Sequence, residues 1–237
     1  MKYYYDMHIH SCLSGCADVL NSPNNILNMA YINKLDIISV TDHNSLKQVP
    51  ILHEIAKSYN LILIPGVEIT VEEGFHVLVY LKNIDDVYKL DAFLDNHLIK
   101  EDLDLKKYNK QVITDIYDNE ESSYPYLLSN PIDVGIKELI EYLKHYDHLL
   151  FFAHIDKRLY SGKNYLEGLE IDGVEIMDKN SEFSYKNIIH NSDAHTLIHI
   201  NEQENYLELD ELSIDAVFEY FRGNKNVWFI FIYFRYS

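Results

Sequence analysis

Histidines and acidic residues recur in six short clusters along the chain, and their types suggest metal chemistry. Imidazole nitrogens and carboxylate oxygens together form the usual ligand sets of Zn, Mn and Fe sites. A lone histidine after an apolar strand is more often a hydrogen-bonded structural residue, but six such clusters are hard to attribute to chance. The clusters are Asp6-Met7-His8-Ile9-His10, Thr41-Asp42-His43-Asn44, Pro65-Gly66-Val67-Glu68, Phe75-His76-Val77, Ala153-His154 and Ser192-Asp193-Ala194-His195.

The first cluster illustrates why the spacing matters. Alternate side chains of a strand point to the same face, so His8 and His10 are expected to lie together, with Asp6 two residues further back. Two imidazoles on one face can bind one metal ion, while a nearby carboxylate orients a ring. The spacing therefore predicts a metal site at the end of the first strand.

Strand-like and helix-like segments alternate along the chain and position these clusters. This alternation indicates a mainly parallel sheet, closed or open, with helices outside it. The clusters fall at or near the C-terminal ends of the predicted strands, which open onto one face in parallel α/β barrels. The predicted strands are residues 3–9, 36–40, 61–64, 75–80, 149–153, 173–176 and 187–189, and the predicted helices are 25–33, 46–59, 85–98, 134–145 and 213–221.

The chain of 237 residues is the size of a single domain, which we place at residues 1–237. Residues 96–131 interrupt the alternation with a polar, acidic stretch, interpreted as an elaboration within the domain with a small hairpin at 111–117. Residues 226–237 form a tail that is too apolar to remain solvated. We expect this tail to be a final strand or a surface through which the protein forms a homo-oligomer.

Composition limits the classes of partner. The formal net charge of −18 disfavours long nucleic acid, because binding to a phosphate backbone relies on clustered Lys and Arg. The cysteines, Cys12 and Cys16, occur without an apolar signal segment, which indicates a reducing, cytoplasmic location. No apolar run is long enough to span a bilayer, so no membrane partner is expected.

In their order along residues 6–195, the six clusters resemble the successive motifs of the PHP (polymerase and histidinol phosphatase) family. Segment 14–25 is similar to the corresponding loop of stand-alone bacterial members. The resemblance implies an α/β fold, namely a distorted (β/α)7 TIM-like barrel with its metal site at the C-terminal ends of the strands. It also implies hydrolysis of phosphate mono- or diesters, since family members act on histidinol phosphate, nucleotides and DNA ends.

The resemblance further implies two or three divalent metals (Zn, Mn or Fe) and the residues that bind each of them. The ligands would be His8, His10, Glu68 and Asp193 for the first metal, a shared Glu68 with His76 and His154 for the second, and His43, His195 and one residue of the loop after His10 for the third.

That loop departs from the family pattern, in which many members have Asp or His. Cys16 is the first candidate for the missing ligand and Asp18 the second, although a buried, inert thiol is an equally good interpretation of Cys16. A thiolate ligand would favour zinc or iron(II) over magnesium, because soft ligands prefer soft or borderline metals.

The ligand set predicts hydrolysis through a metal-activated water, with His43, His195 and Asp193 as the catalytic residues. Either histidine could protonate the leaving oxygen if the third metal is absent. Lys157 and Arg158 directly follow the His154 cluster and could contact the substrate phosphate. The alternative is a solvated basic pair on a loop.

The leading hypothesis is thus a phosphoesterase that acts on a small phosphorylated metabolite or nucleotide. The alternatives are a non-catalytic metal-binding PHP domain, an exonuclease-like activity, and an amide or lactone hydrolase. Retention of nearly the whole ligand set argues against the non-catalytic domain, and the acidic composition against the exonuclease. The absence of an obvious metal-bridging lysine argues against the amide hydrolase.

Overall fold

A computed structural model describes residues 1–223, and the predicted apolar tail, 226–237, lies outside the described residues. The fold is mixed α/β, as predicted. In chain order its elements are β1 (Lys2–Ile9), α1 (Pro23–Ile32), β2 (Ile37–Val40), α2 (Val49–Ala56), β3 (Ile62–Leu63), β4 (Gly66–Thr70), β5 (His76–Leu81), α3 (Val87–His97), β6 (Gln111–Thr114), β7 (Glu120–Tyr124), α4 (Ile136–Leu143), β8 (His148–Phe152), β9 (Gly173–Glu175), β10 (Ile188–Ile189), β11 (Tyr206–Glu208) and α5 (Ile214–Arg222).

The strands form two main sheets. In the first, with order β11-β1-β2-β3, the strands β1, β2 and β3 are parallel and β11 pairs antiparallel with β1. In the second, with order β10-β9-β8-β5-β4, the strands β8, β9 and β10 are parallel. The prediction of a mainly parallel sheet is therefore correct for the strands that carry most clusters.

Strand β5 is the exception, because it runs antiparallel to both of its neighbours, β4 and β8. The expectation that every cluster lies at the C-terminal end of a strand is therefore wrong for His76, which is the first residue of β5. His76 still reaches the common edge, since its register partner is Thr70, the last residue of β4.

The two sheets meet at the edge where the clusters lie. Isolated parallel bridges join Ile9 to Ala194 and His43 to Glu68. These contacts link β1 to the segment after β10, and the segment after β2 to β4. Among residues 1–223 the strands form two linked sheets and a separate hairpin, and no closed barrel is observed.

The helices cover the sheets with apolar faces of helical spacing. In α4, for example, Ile136, Leu139 and Leu143 are buried, and they pack in one cluster with Val79 and Phe152 of the sheet. Such i, i+3, i+7 spacing places the apolar side chains on one stripe of a helix. No helix between residues 1 and 223 combines the length and apolarity that a membrane-spanning segment requires.

The elaboration predicted at residues 96–131 contains the two-stranded sheet β6-β7, a longer hairpin than the one expected at 111–117. It packs on the loop that follows β1: the N–H of Asn109 donates to the carbonyl of Gly15 (2.8 Å), and that of Val112 to Cys12 (2.9 Å). The side-chain amide of Asn44 also donates to two carbonyls of the elaboration, at 2.7 Å each. The elaboration therefore supports the loop that carries Cys16.

Candidate metal centre

Glu68 is the centre of the site, and its carboxylate is fully buried in the middle of β4. Imidazole nitrogens surround it from five histidines, which lie in the strands or shortly after them. The nitrogen–oxygen distances are 3.4 Å to His8 Nε2, 3.3 Å to His10 Nε2, 3.0 Å to His43 Nδ1, 2.8 Å to His76 Nδ1 and 3.1 Å to His154 Nε2.

Hydrogen bonds orient the imidazoles of His8 in β1 and of His10, the residue directly after β1. His8 Nδ1 lies 3.0 Å from both carboxylate oxygens of Glu175. His10 Nδ1 lies 3.1 Å from the hydroxyl of Ser14, which donates to Asp42 at 2.6 Å. With Nδ1 held by these contacts, each ring turns its Nε2 toward that of the other ring, 3.2 Å away, and toward Glu68.

Glu175 was not predicted from the sequence. Its buried carboxylate at the end of β9 also accepts the backbone N–H of His154 (2.9 Å). The sequence assigned the orienting carboxylate to Asp6 instead, which is wrong. Asp6 accepts the backbone N–H groups of Ser192 and Asn201, and within residues 1–223 it makes no hydrogen bond to an imidazole ring. The signal for Glu175 was its place at the end of a predicted strand, like the ligands.

Asp193 completes the group formed by His8 and His10, since its carboxylate lies 3.3 Å from Nε2 of each ring. Lys157 contacts the other oxygen of this carboxylate. Arg158 is exposed and forms no ion pair within residues 1–223. The structure therefore brings Lys157 to the site and leaves Arg158 beside it.

His195 is the most accessible histidine of the site, with 34% of its side chain exposed, whereas the other site histidines are nearly or fully buried. Its Nδ1 lies 2.8 Å from the backbone carbonyl of Asp193. The ring packs 4.4 Å from that of His10, measured between centroids, and their nitrogens converge with those of His43.

Cys16 adjoins this third group. The residue is exposed, but its thiol interacts with the imidazoles of His43 and His195. Burial of the sulfur opposes the thiolate, yet the two imidazoles outweigh it and lower the pKa of Cys16 to about 5. Asp18 is turned away, because its carboxylate accepts the N–H of Leu20 (2.9 Å). These contacts favour Cys16 over Asp18 as the residue closest to the third group, and the buried thiol is that of Cys12.

The backbone is strained where the clusters project into the site. Asn44, His154 and Asp193 adopt positive φ angles of 45°, 30° and 51°, a region that glycine favours and other residues enter at a cost. Residues in such conformations concentrate at binding and catalytic sites, where surrounding contacts hold them. Two of these three residues, His154 and Asp193, are predicted metal ligands.

Charges within the site are strongly coupled. Burial favours the neutral carboxyl of Glu68, but the imidazoles, with His76 and His8 foremost, lower its pKa well below the usual range. Burial also disfavours the imidazolium of His8, yet Glu175 and Asp193 raise its pKa well above the ordinary value. His76 differs, because burial prevails and lowers its pKa. Protons on some imidazoles therefore provide positive charge that the buried carboxylates require.

The donor set fits divalent metals. His43 Nδ1 and Glu68 Oε2 are buried without a hydrogen-bond partner within residues 1–223, although they lie 3.0 Å apart. Unpaired buried polar atoms are costly, and a cation between them would satisfy both. The ligand atoms converge in three groups: His8, His10 and Glu68; His43, Glu68 and His76; and His10, His43 and His195.

Comparison with known proteins gives matches in structure. No family model matches the chain, and no curated protein matches its sequence. The lesion-specific endonuclease PfuEndoQ from Pyrococcus furiosus matches with a TM-score of 0.68 and 16% identity over 94% of this chain. This chain spans 56% of the length of that endonuclease.

Two further structures match over nearly all of this chain. A putative metal-dependent phosphoesterase from Bifidobacterium adolescentis has a TM-score of 0.58 and 15% identity, with 92% of this chain and 95% of that one covered. A two-domain protein from Bacteroides vulgatus, described as containing a predicted PHP-like metal-dependent phosphoesterase, has a TM-score of 0.55 and 19% identity, with 93% and 62% covered. The chain therefore has the fold of PHP-like metal-dependent phosphoesterases.

Proposed function

We propose that this protein is a metal-dependent phosphoesterase that hydrolyses a small phosphate mono- or diester, of the size of a metabolite or nucleotide. The observation that carries the proposal is the buried Glu68 carboxylate with five imidazole nitrogens within 3.4 Å of it. This arrangement is costly for a purely structural role, because it buries several ionisable groups whose charges are not all compensated by hydrogen-bond partners.

The proposed metal sites use the three groups of converging atoms, extended by Asp193, His154 and Cys16. His8, His10, Glu68 and Asp193 would hold the first metal, and Glu68 would share the second with His76 and His154. Cys16 would complete the third group with His43 and His195, and a thiolate there favours zinc or iron(II) over magnesium. Bound metals would supply an activated water and charge relief on the phosphoryl oxygens. The α/β architecture would then be a distorted seven-stranded barrel.

The chain's own residues would orient the ester. His195 is the accessible imidazole, so in the absence of the third metal it can donate a proton to the leaving oxygen. Lys157, 41% exposed and in contact with Asp193, can turn its ammonium group to a phosphate oxygen, and Arg158 adds a second exposed cation. His43 is nearly buried, which makes it the weaker candidate for proton transfer to substrate.

The likeness to a lesion-specific endonuclease keeps a nucleic-acid substrate in the set of compounds to assay. Against it, the chain carries a formal net charge of −18 and spans 56% of that endonuclease. A small ester remains the proposed substrate, because a deep metal site requires little positive charge elsewhere on the surface.

The test is metal content measured together with turnover. Elemental mass spectrometry of the untreated protein should find two to three equivalents of Zn, Mn or Fe, and hydrolysis of p-nitrophenyl phosphate or its bis-ester should disappear with a chelator and return with metal. Glu68→Gln should lose both metal and turnover. Glu54→Gln, which removes an exposed carboxylate of α2, is the matched control.

The substrates to test are both nitrophenyl esters, nucleotides and an oligonucleotide with an abasic site. If metal is bound but none of them is hydrolysed, the result would contradict the phosphoesterase and favour an amide hydrolase or a non-catalytic metal-binding domain. Absence of metal after reconstitution would contradict the ligand assignment itself.

A further inference from the structure

The loop that follows His154 forms a rim along the candidate metal centre. At one end Lys157 contacts the carboxylate of Asp193. At the other, the ring of Tyr160 stacks on His76, with 4.6 Å between centroids and 16° between planes. Asp193 and His76 belong to different proposed metals, so this single loop borders both.

The rim is held at several points, although most of its side chains are exposed. The N–H of His76 donates to the carbonyl of Tyr160 (3.0 Å), and the hydroxyl of Ser161 donates to a carbonyl at the start of the loop (2.7 Å). A Cβ on Gly162 would lie 2.7 Å from the ring of Phe152, so the backbone packs directly on the core there. The rim therefore presents its side chains from a defined position.

The conformation and exposure of Tyr160 do not contribute to the stability of the fold. Its φ is 60°, in the region that glycine favours, and the residue is 54% exposed. The ring face turned away from His76 makes no ring contact with another part of residues 1–223. The neighbouring Leu159 is 67% exposed as well. An exposed aromatic residue in a strained conformation beside a candidate active site is a typical ligand-binding feature.

We propose that the outward face of Tyr160 is the subsite for a planar group of the substrate, of the chemical class of a nucleobase. The inference rests on the proposed phosphoesterase function, which places the phosphate at the metal centre. With the ring fixed on His76, its free face can stack on a base, while Arg158 in the same rim offers a cation to the phosphate or the base. Stacking tolerates any base, and the base can belong to a free nucleotide or to a single strand.

The experiment compares two ligands that differ in the base. Dissociation constants for adenosine 5′-monophosphate and ribose 5-phosphate are measured by calorimetry on the metal-loaded protein, with kcat/KM for both. Tyr160→Ala should reduce the preference for the base roughly ten- to hundredfold, as loss of one stacking aromatic does. Tyr160→Phe should retain it, and Tyr88→Ala, at an exposed tyrosine of α3, is the control.

A 5′-phosphorylated single-stranded oligonucleotide distinguishes the two sources of the base. A larger loss on the mononucleotide supports a free nucleotide, and a larger loss on the oligonucleotide supports a strand. An unchanged preference in Tyr160→Ala, or an equal loss for both ligands with loss of metal, overturns the subsite and leaves Tyr160 as a support for His76. A base preference in binding without any turnover supports the subsite and contradicts the phosphoesterase.

Discussion

The Glu175→Gln variant tests whether the buried carboxylate behind His8 prepares the metal centre. Both of its oxygens lie 3.0 Å from His8 Nδ1, and the same carboxylate accepts the N–H of His154 (2.9 Å) and the side-chain amide of Asn191 (2.8 Å). A glutamine has the same size but one accepting oxygen, and its NH₂ group would face another donor. At least one buried N–H then loses its partner, at a cost of about 1–3 kcal/mol in the free energy of unfolding.

Metal binding should change more than stability, because the hydrogen bond to Nδ1 holds the His8 ring with Nε2 toward Glu68. Carboxylates that orient ligand histidines typically contribute about 10–100-fold in metal affinity or activity. Metal titration of the chelated protein, followed by p-nitrophenyl phosphate turnover, should show a loss of this size in Glu175→Gln. Glu208→Gln, at an exposed position of β11, is the control. A Glu175→Gln titration that superimposes on the control would refute the orienting role.

Three further changes probe the third metal group, the backbone and the charges. Cys16→Ser should lower the zinc content of the reconstituted protein by about one equivalent while the other metals remain, because a hydroxyl is a much weaker zinc ligand than a thiolate. Gly66→Ala should lower the melting temperature, since its Cβ would lie 2.8 Å from the Thr41 methyl carbon, whereas Gly135→Ala meets only a carboxylate oxygen at 3.2 Å. In the chelated protein, burial opposes charge on His10, but the neighbouring carboxylates raise its pKa to about 9. The stability from this raised pKa is complete below the unfolded value of about 6.5, so the melting temperature should fall as the pH rises toward 9, and a constant value would contradict the shift.

The sequence predicted the fold correctly where local residue patterns determine the structure. Period-two alternation placed His8 and His10 on one face at the end of the first strand, and the structure has their Nε2 atoms 3.2 Å apart. The direction of β5 was not readable, because an apolar run looks the same in either direction. The turn between β4 and β5 is short, which is the one local sign that the two strands are antiparallel.

The partners of the ligands were harder to predict than the ligands. Asp6 was the natural choice to orient a ring because it is close in sequence, yet Glu175, 167 residues from His8, does so. Proximity in sequence says little about which carboxylate faces a ring once strands from both ends of the chain lie side by side. The same limit applies to Asp18, whose carboxylate is satisfied within its own turn.

The antiparallel β4-β5 pair also has a consequence for the order of folding. Glu68 and His76 are 8 residues apart, whereas Glu68 and His154 are separated by 86, and His8 and Glu175 by 167. Contacts that close short loops form first, since the entropy lost grows with loop length. A refolding chain would therefore assemble half of a metal site within one hairpin and join β1 to it late. Metal added at the start of refolding would bind first to that half-site. The bound metal would then favour the approach of ligands from the two ends of the chain.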